Sequence, residues 1–137
     1  MLKLGMTLWT ENTRTLTMDS KYFTAKELRC QETGEEGMQQ VFIDLLDVIR
    51  EECGFAFVVT SGYRSPEHSI EKRKEKAGSH AMGCAVDIRA DSKQKAKIME
   101  VAKKYGVTRF GINKSFIHLD IADRYNDRFP SNVVWAY

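Results

Sequence analysis

The sequence predicts an α+β domain built on a small, largely antiparallel sheet with flanking helices. Three observations carry this expectation. Two stretches, residues 35–53 and 92–105, repeat apolar residues at three- and four-residue steps, as a helix with one buried face does. Several short runs rich in β-branched residues read as strands. The last two of these runs are separated only by a tight turn at Asn113-Lys114, too short for the crossover that a parallel pair needs. The alternation of helices and strands also allows a parallel α/β arrangement, which ranks second. The chain of 137 residues suits one domain around one core, residues 1–137, with residues 1–20 as an N-terminal extension of open role.

Each element has its own signal. Residues 1–20 are β-prone and rich in Thr, and are expected to add an edge strand or to wrap the core. Thr24-Ala-Lys-Glu27 fits a capping box that opens a short helix. A longer helix is predicted from Glu35 to Cys53, with Met38, Val41, Phe42, Leu45, Val48 and Ile49 as its core stripe and Gly54 as its stop. Phe55–Thr60 reads as a buried strand. Ser65-Pro66 resembles an N-cap followed by Pro at the first helical position. The Lys-, Arg- and Glu-rich segment Ile70–Ala77 reads as a solvated helix or loop. Met82–Arg89 is the next predicted strand. Asp91-Ser92 caps a third helix with Ile98, Met99, Ala102 and Tyr105 inward, closed by Gly106. Val107–Ile112 and Ser115–Ala122 are the last two strands. Phe129, Val133, Val134 and Trp135 indicate a tail that packs down.

Composition excludes several classes. Hydrophobic residues make up 42% and charged residues 29%, mixed in sign, which argues against wholesale disorder. A formal net charge of +2 gives no case for nucleic acid as a partner. No stretch reaches membrane-spanning length, and the N-terminal apolar run is too short and too interrupted for a signal peptide. Synthesis in the cytoplasm is therefore expected, with export left to another agent. Cys30, Cys53 and Cys84 show no paired spacing, so they read as free thiols rather than as a disulfide framework or a Cys-based zinc site.

The chemistry concentrates around two of the three histidines. In Ser79-His80-Ala-Met-Gly83-Cys-Ala85-Val-Asp87 an imidazole and a carboxylate stand seven positions apart across a glycine. On a strand, Ala85, Asp87 and Arg89 share one face, while Cys84, Val86 and Ile88 share the other and look like core. A carboxylate on an otherwise apolar strand needs a cation or metal beside it. In Ser115-Phe-Ile-His118-Leu-Asp120-Ile-Ala122, the residues Ile117, Leu119 and Ile121 point one way and Phe116, His118 and Asp120 the other. Two His and one Asp make a suitable set for one catalytic Zn2+ ion, leaving a fourth position for water whose pKa the metal lowers. Other divalent ions share these ligand types. The plain alternative is a surface Asp87 and two unrelated histidines.

Ser61-Gly-Tyr-Arg64-Ser65, then Ser79-His80-x-x-Gly83-x-Ala85-x-Asp87, then Phe116-Ile-His118-Leu-Asp120, together resemble the M15 zinc metallopeptidases over roughly residues 20–137. These are D-alanyl-D-alanine carboxypeptidases and L-alanyl-D-glutamate endopeptidases, and the short phage and prophage endolysin-like group is nearest in style. The resemblance implies a fold of the hedgehog/DD-peptidase type. It implies His80, Asp87 and His118 as zinc ligands, Arg64 as the arginine that steadies substrate or transition state, and Ser79 as a substrate-contacting serine. A surface ion pair is the alternative for Arg64, and a turn hydroxyl for Ser79. Many relatives carry a Glu as general base three residues before the last ligand, where this chain has Ser115, or a His two before it, where it has Phe116. Asp120 is left, either as the proton acceptor or as the partner that fixes the His118 tautomer. His68 is an outside candidate for the same cleft, with a structural role as the alternative.

Two functions follow from the resemblance. One is a monomeric peptidase cutting an amide bond in peptidoglycan stem peptides, reaching the cell wall through holin-type release or as a virion component. The other is a zinc-stabilised binding module of the same fold with weak or no hydrolysis, an idea kept alive by Ser115.

Overall fold

The computed structural model describes residues 18–137. The expectation of an edge strand or wrap in residues 1–20 thus falls, as far as residue 17, outside the described residues. From Met18 onward the chain lies along the second helix: the Asp19 N–H donates to Gln40 at 3.0 Å, and the Ser20 hydroxyl to Asp47 at 2.8 Å.

Helix α1 (Ala25–Leu28) is short and capped by the Thr24 side chain, which accepts from the Glu27 N–H. Helix α2 runs over Gln40–Cys53 and stops at Gly54, which is left-handed with φ +80°. It begins five residues later than expected because the preceding segment spends its hydrogen bonds elsewhere. The Glu35 carbonyl accepts from Cys30, the Glu35 carboxylate from Ser65, and the Gln39 N–H donates to Gly83. The core stripe also differs from expectation. Phe42, Ile43, Leu46 and Ile49 are buried, whereas Val41 and Val48 are 49% and 42% exposed. The helix is apolar over more than one face, and packing selects the face with the larger side chains. Truncating one of these, such as Leu46→Ala, costs roughly 2–5 kcal/mol.

Among the described residues five strands form one mixed sheet: β1 (Val58–Ser61), β2 (Ala85–Arg89), β3 (Arg109–Ile112), β4 (Phe116–Asp120) and β5 (Val133–Ala136), in the order β1-β2-β4-β3-β5. The pairs β1/β2, β2/β4 and β3/β4 are antiparallel, and β3/β5 is parallel. The sheet is therefore largely antiparallel, in a small α+β fold. Strand β5 refines the expectation of a packed tail: the tail adds a strand, separated from β3 by enough chain for a parallel return. Helix α3 (Ser92–Lys104) carries a full capping box from Asp91 and Gln94 and buries Ile98, Val101 and Ala102, while Tyr105 is exposed. Ser65-Pro66 opens a turn rather than an α-helix: the Ser65 hydroxyl accepts from the Glu67 N–H, and only a 3₁₀ turn at Glu71–Arg73 follows.

Register divides the sheet into two faces. Val86 pairs with Leu119, Ile88 with Ile117, and Phe110 with Leu119; all are buried in the core with α2 and α3. Asp87 pairs with His118, Ala85 with Asp120, Gly111 with His118, and Arg109 with Asp120, so these stand on the other face. The alternation seen in the sequence of β2 and β4 is this division. Burying the apolar set in the core fixes the polar set opposite.

Candidate metal centre

Asp87 and His118 are direct neighbours across β2 and β4, and His118 Nδ1 lies 2.9 Å from Asp87 Oδ1. His80 comes from a turn before β2, and its Nε2 lies 3.3 Å from the same oxygen. The turn is fixed at its end by Gly83, with φ +74°, where any Cβ would collide with the Gly37 carbonyl oxygen. The Gln39 side chain donates to the Met82 carbonyl at 2.7 Å, so the N-terminus of α2 holds the turn down. All three side chains are buried, and their ligand atoms lie within 4.8 Å of one another. Among the described residues this is the one such group of three His, Cys, Asp or Glu side chains.

The outer nitrogen of each ring has its own acceptor. His80 Nδ1 is 2.7 Å from the Gly62 carbonyl oxygen, which can only accept, so that nitrogen carries the hydrogen. His118 Nε2 is 2.6 Å from Asp120 Oδ2. In the neutral rings the two inner nitrogens then offer lone pairs, and both face a carboxylate oxygen. Three acceptors converge with no donor among them. Such a set fits a cation, and the outer acceptors are those expected for metal-bound imidazoles.

The metal-free electrostatics describe the protonated form of the site, in which His118 donates to Asp87. Burial pushes the Asp87 carboxyl up, but hydrogen bonds from His118 and His80 outweigh it and hold the group well below the usual carboxylate range. Burial works against a charged His118, yet its bonds to Asp120 and Asp87 raise its pKa. The metal-free site thus favours a proton on His118 beyond its ordinary range, and a metal ion held there would take the place of that proton. Cys84 lies close by, but burial, with the Asp120 charge, pushes its thiol up to about 12. It stays protonated in the metal-free protein and packs in the core cluster with Val86.

Asp120 is fully buried. Besides His118, its carboxylate accepts from Arg109 Nε at 2.7 Å and from the Ala122 N–H at 2.9 Å. Burial raises its pKa, and these partners, His118 foremost, bring it below the ordinary value. Arg109 is held in turn. It donates to the Pro130 carbonyl at 2.7 Å, and its guanidinium lies 5.1 Å from the Phe129 ring and 5.2 Å from the Trp135 ring. Trp135 lies across Gly111, where a Cβ would come within 2.6 Å of the indole, and its ring is 5.3 Å from that of His118.

The remaining candidates divide. The Arg64 N–H donates to the His80 carbonyl at 3.2 Å, so Arg64 is adjacent to the cluster, and its side chain is half-buried. Ser79 immediately precedes His80 and is half-buried, its carbonyl accepting from Met82 and Cys84. His68 is engaged outside the cluster: its Nδ1 accepts from the Ile70 N–H at 3.0 Å, and its Nε2 is 3.4 Å from Glu32. Ser115 is exposed and bonded to Asn113 in the hairpin turn. Arg109, Trp135 and Gly62 were not foreseen from the sequence. Arg109 had a usable signal, since it is an arginine in a short apolar strand, two residues from a glycine on the same face.

No curated protein matches the chain. The profile of one family, described as Peptidase M15, matches residues 21–120, a span that includes α1 and all three members of the His–Asp–His cluster. The chain belongs to the Peptidase M15 family, and its buried His–Asp–His cluster is a site that can hold a metal ion.

Proposed function

We propose that the protein is a zinc peptidase that hydrolyses an amide bond in the stem peptides of peptidoglycan, with His80, Asp87 and His118 as the ligands. The observation that carries this reading is the pair of inward imidazole nitrogens on Asp87, each ring fixed from behind by its own acceptor. A bound zinc ion supplies the Lewis acidity that activates water and polarises a carbonyl.

The chain's own residues do the rest. Asp120 is a positioning residue, because its oxygens are already engaged by His118, Arg109 and Ala122. It accepts the His118 Nε2 hydrogen and leaves Nδ1 as the ligand atom. Arg64 offers its planar fork to a peptide carboxylate or to the developing oxyanion. Ser79, beside His80, offers a hydroxyl to the substrate backbone. A terminal D-Ala-D-Ala would use Arg64 as a carboxylate clamp, whereas an internal bond would lay its carbonyl there.

The test is direct. The purified protein is loaded with zinc, its metal content is measured, and it is incubated with purified peptidoglycan from several wall types while released amines are followed. Release that disappears together with metal in His80→Ala supports the reading. Metal without release on every wall would favour the second reading, a metal-stabilised binding module, for which Ser115 in place of an acid speaks. Failure to take up zinc would sink both.

A further inference from the structure

The charged segment Ile70–Ala77 conceals a buried carboxylate. The Glu71 side chain is 2% exposed. Its Oε2 meets two cations, Lys74 Nζ at 2.9 Å and the Arg64 guanidinium at 3.7 Å. Its Oε1 accepts from the Gly78 N–H at 3.3 Å. Burial opposes ionisation, but Lys74, Gly78 and Arg64 more than compensate and keep the group charged.

These partners flank His80 on both sides. Gly78 opens the turn that carries His80, and the Arg64 backbone N–H donates to the His80 carbonyl at 3.2 Å. The Arg64 main chain is therefore tied to the His80 turn, while its side chain has its acidic partner, among the described residues, in Glu71. One carboxylate oxygen leaves most of the guanidinium's five N–H donors free for a second, incoming acceptor. Without the Glu71 charge, Arg64 and Lys74 would be two cations around one oxygen position and would repel.

We propose that Glu71 is a positioning residue that sets the direction of the Arg64 guanidinium, and so the grip of Arg64 on the substrate's carboxylate or carbonyl oxygen. This rests on the reading of Arg64 as the substrate-gripping group. A merely structural Glu71 would staple the 70–77 loop and act on stability alone. A positioning Glu71 acts through Arg64 and has no further effect once Arg64 is gone.

The experiment has two arms on the full-length, zinc-loaded protein. In the first, the 15N heteronuclear NOE of the Arg64 Nε–H is measured in wild type and in E71Q. An ordered signal in wild type that falls to free-side-chain values in E71Q is expected. An unchanged NOE would overturn the proposal. In the second, amine release from peptidoglycan is measured for E71Q, R64A and the double variant. E71Q should lower kcat/KM about tenfold, within the loss that a displaced binding group causes, with zinc content unchanged, and should add less than twofold in the R64A background. Equal losses in both backgrounds would reduce Glu71 to a loop staple and also overturn it. If E71Q does not fold, E71D, with its charge on a shorter stem, carries the same comparisons. If wild type releases no amine from any wall, the hydrolase reading fails, and the NOE arm alone still decides whether Glu71 places Arg64.

Discussion

The two halves of the candidate metal centre are built by different means. On the strand half, Asp87, His118, Asp120 and Arg109 occupy paired positions of β2, β4 and β3, with apolar neighbours driven into the core between them. On the turn half, His80 and Arg64 are held by separate local ties, among them the Gly62 carbonyl, the Gly83 backbone, the Arg64 N–H on the His80 carbonyl and the Glu71 carboxylate. A strand converts burial into side-chain direction at every second residue. A turn has no such rule, and each of its functional groups needs its own restraint.

Removing a ligand from either half is the largest perturbation. His80→Ala and His118→Ala should each abolish zinc retention and amine release. They should separate in the metal-free fold. His118→Ala leaves Asp87 and Asp120 buried without their shared partner and should cost roughly 3–5 kcal/mol. His80→Ala frees the Gly62 carbonyl and removes the more distant of the two imidazoles beside Asp87, and should cost about 1–3 kcal/mol. Urea unfolding in EDTA measures both, and equal losses would break the distinction between the halves.

Next comes Asp120→Asn, which keeps the shape but weakens the hold on His118. Zinc affinity should fall roughly 10–100-fold, read by chelator competition. Activity lost at unchanged zinc affinity would make Asp120 the proton acceptor instead. Gly83→Ala tests the turn half. It forces a side chain into left-handed backbone against Gly37 and should cost at least about 1–3 kcal/mol, with weaker zinc binding as the His80 turn shifts.

The strand half also has a pH signature. The His118 pKa is raised by Asp120 and Asp87 against the effect of burial. Its contribution to the metal-free fold is therefore fully present below an ordinary value of about 6.5 and lost as pH rises through the raised folded value. Asp87 and Asp120 are depressed, so their contributions are present above about 3.9 and lost as pH falls through the folded values. In EDTA, stability should decline on the alkaline side, whereas zinc affinity should improve there as the His118 proton is lost. A flat EDTA profile would remove the proton from this account. The smallest effect is expected of Ser115→Ala, on an exposed turn: a stability change within about 0.5 kcal/mol, and no change in zinc affinity.

The same contrast explains what could be read from the sequence. Asp87, His118 and Asp120 were legible because period-2 alternation with Val86, Ile88, Ile117 and Leu119 assigns them a face without any knowledge of their partners. Gly54, Asp91 and the hairpin turn were legible because capping and turn chemistry is local. The start of α2 was not, since residues before Gln40 bond to Ser65 and Gly83, far away in the chain. Nor was β5, whose parallel pairing with β3 depends on non-local packing. The burial of Glu71 was not legible either, because a run of charges gives no sign of which member turns inward. The Asp120 geometry bears on a choice that sequence left even, since its three partners are contributed by separate positions on β3, β4 and the chain beyond.

Trp135, packed against Gly111 and 5.3 Å from the His118 ring, gives the molecule an optical gauge of the candidate centre. A protonated imidazole quenches a neighbouring indole, and a ring that has exchanged its proton for a metal interacts with it differently. With Trp9 as the other tryptophan, Trp9→Phe leaves Trp135 as the sole indole emitter. Its fluorescence should then follow zinc loading in real time, and the occupancy of the centre can be titrated without labels, substrate or turnover.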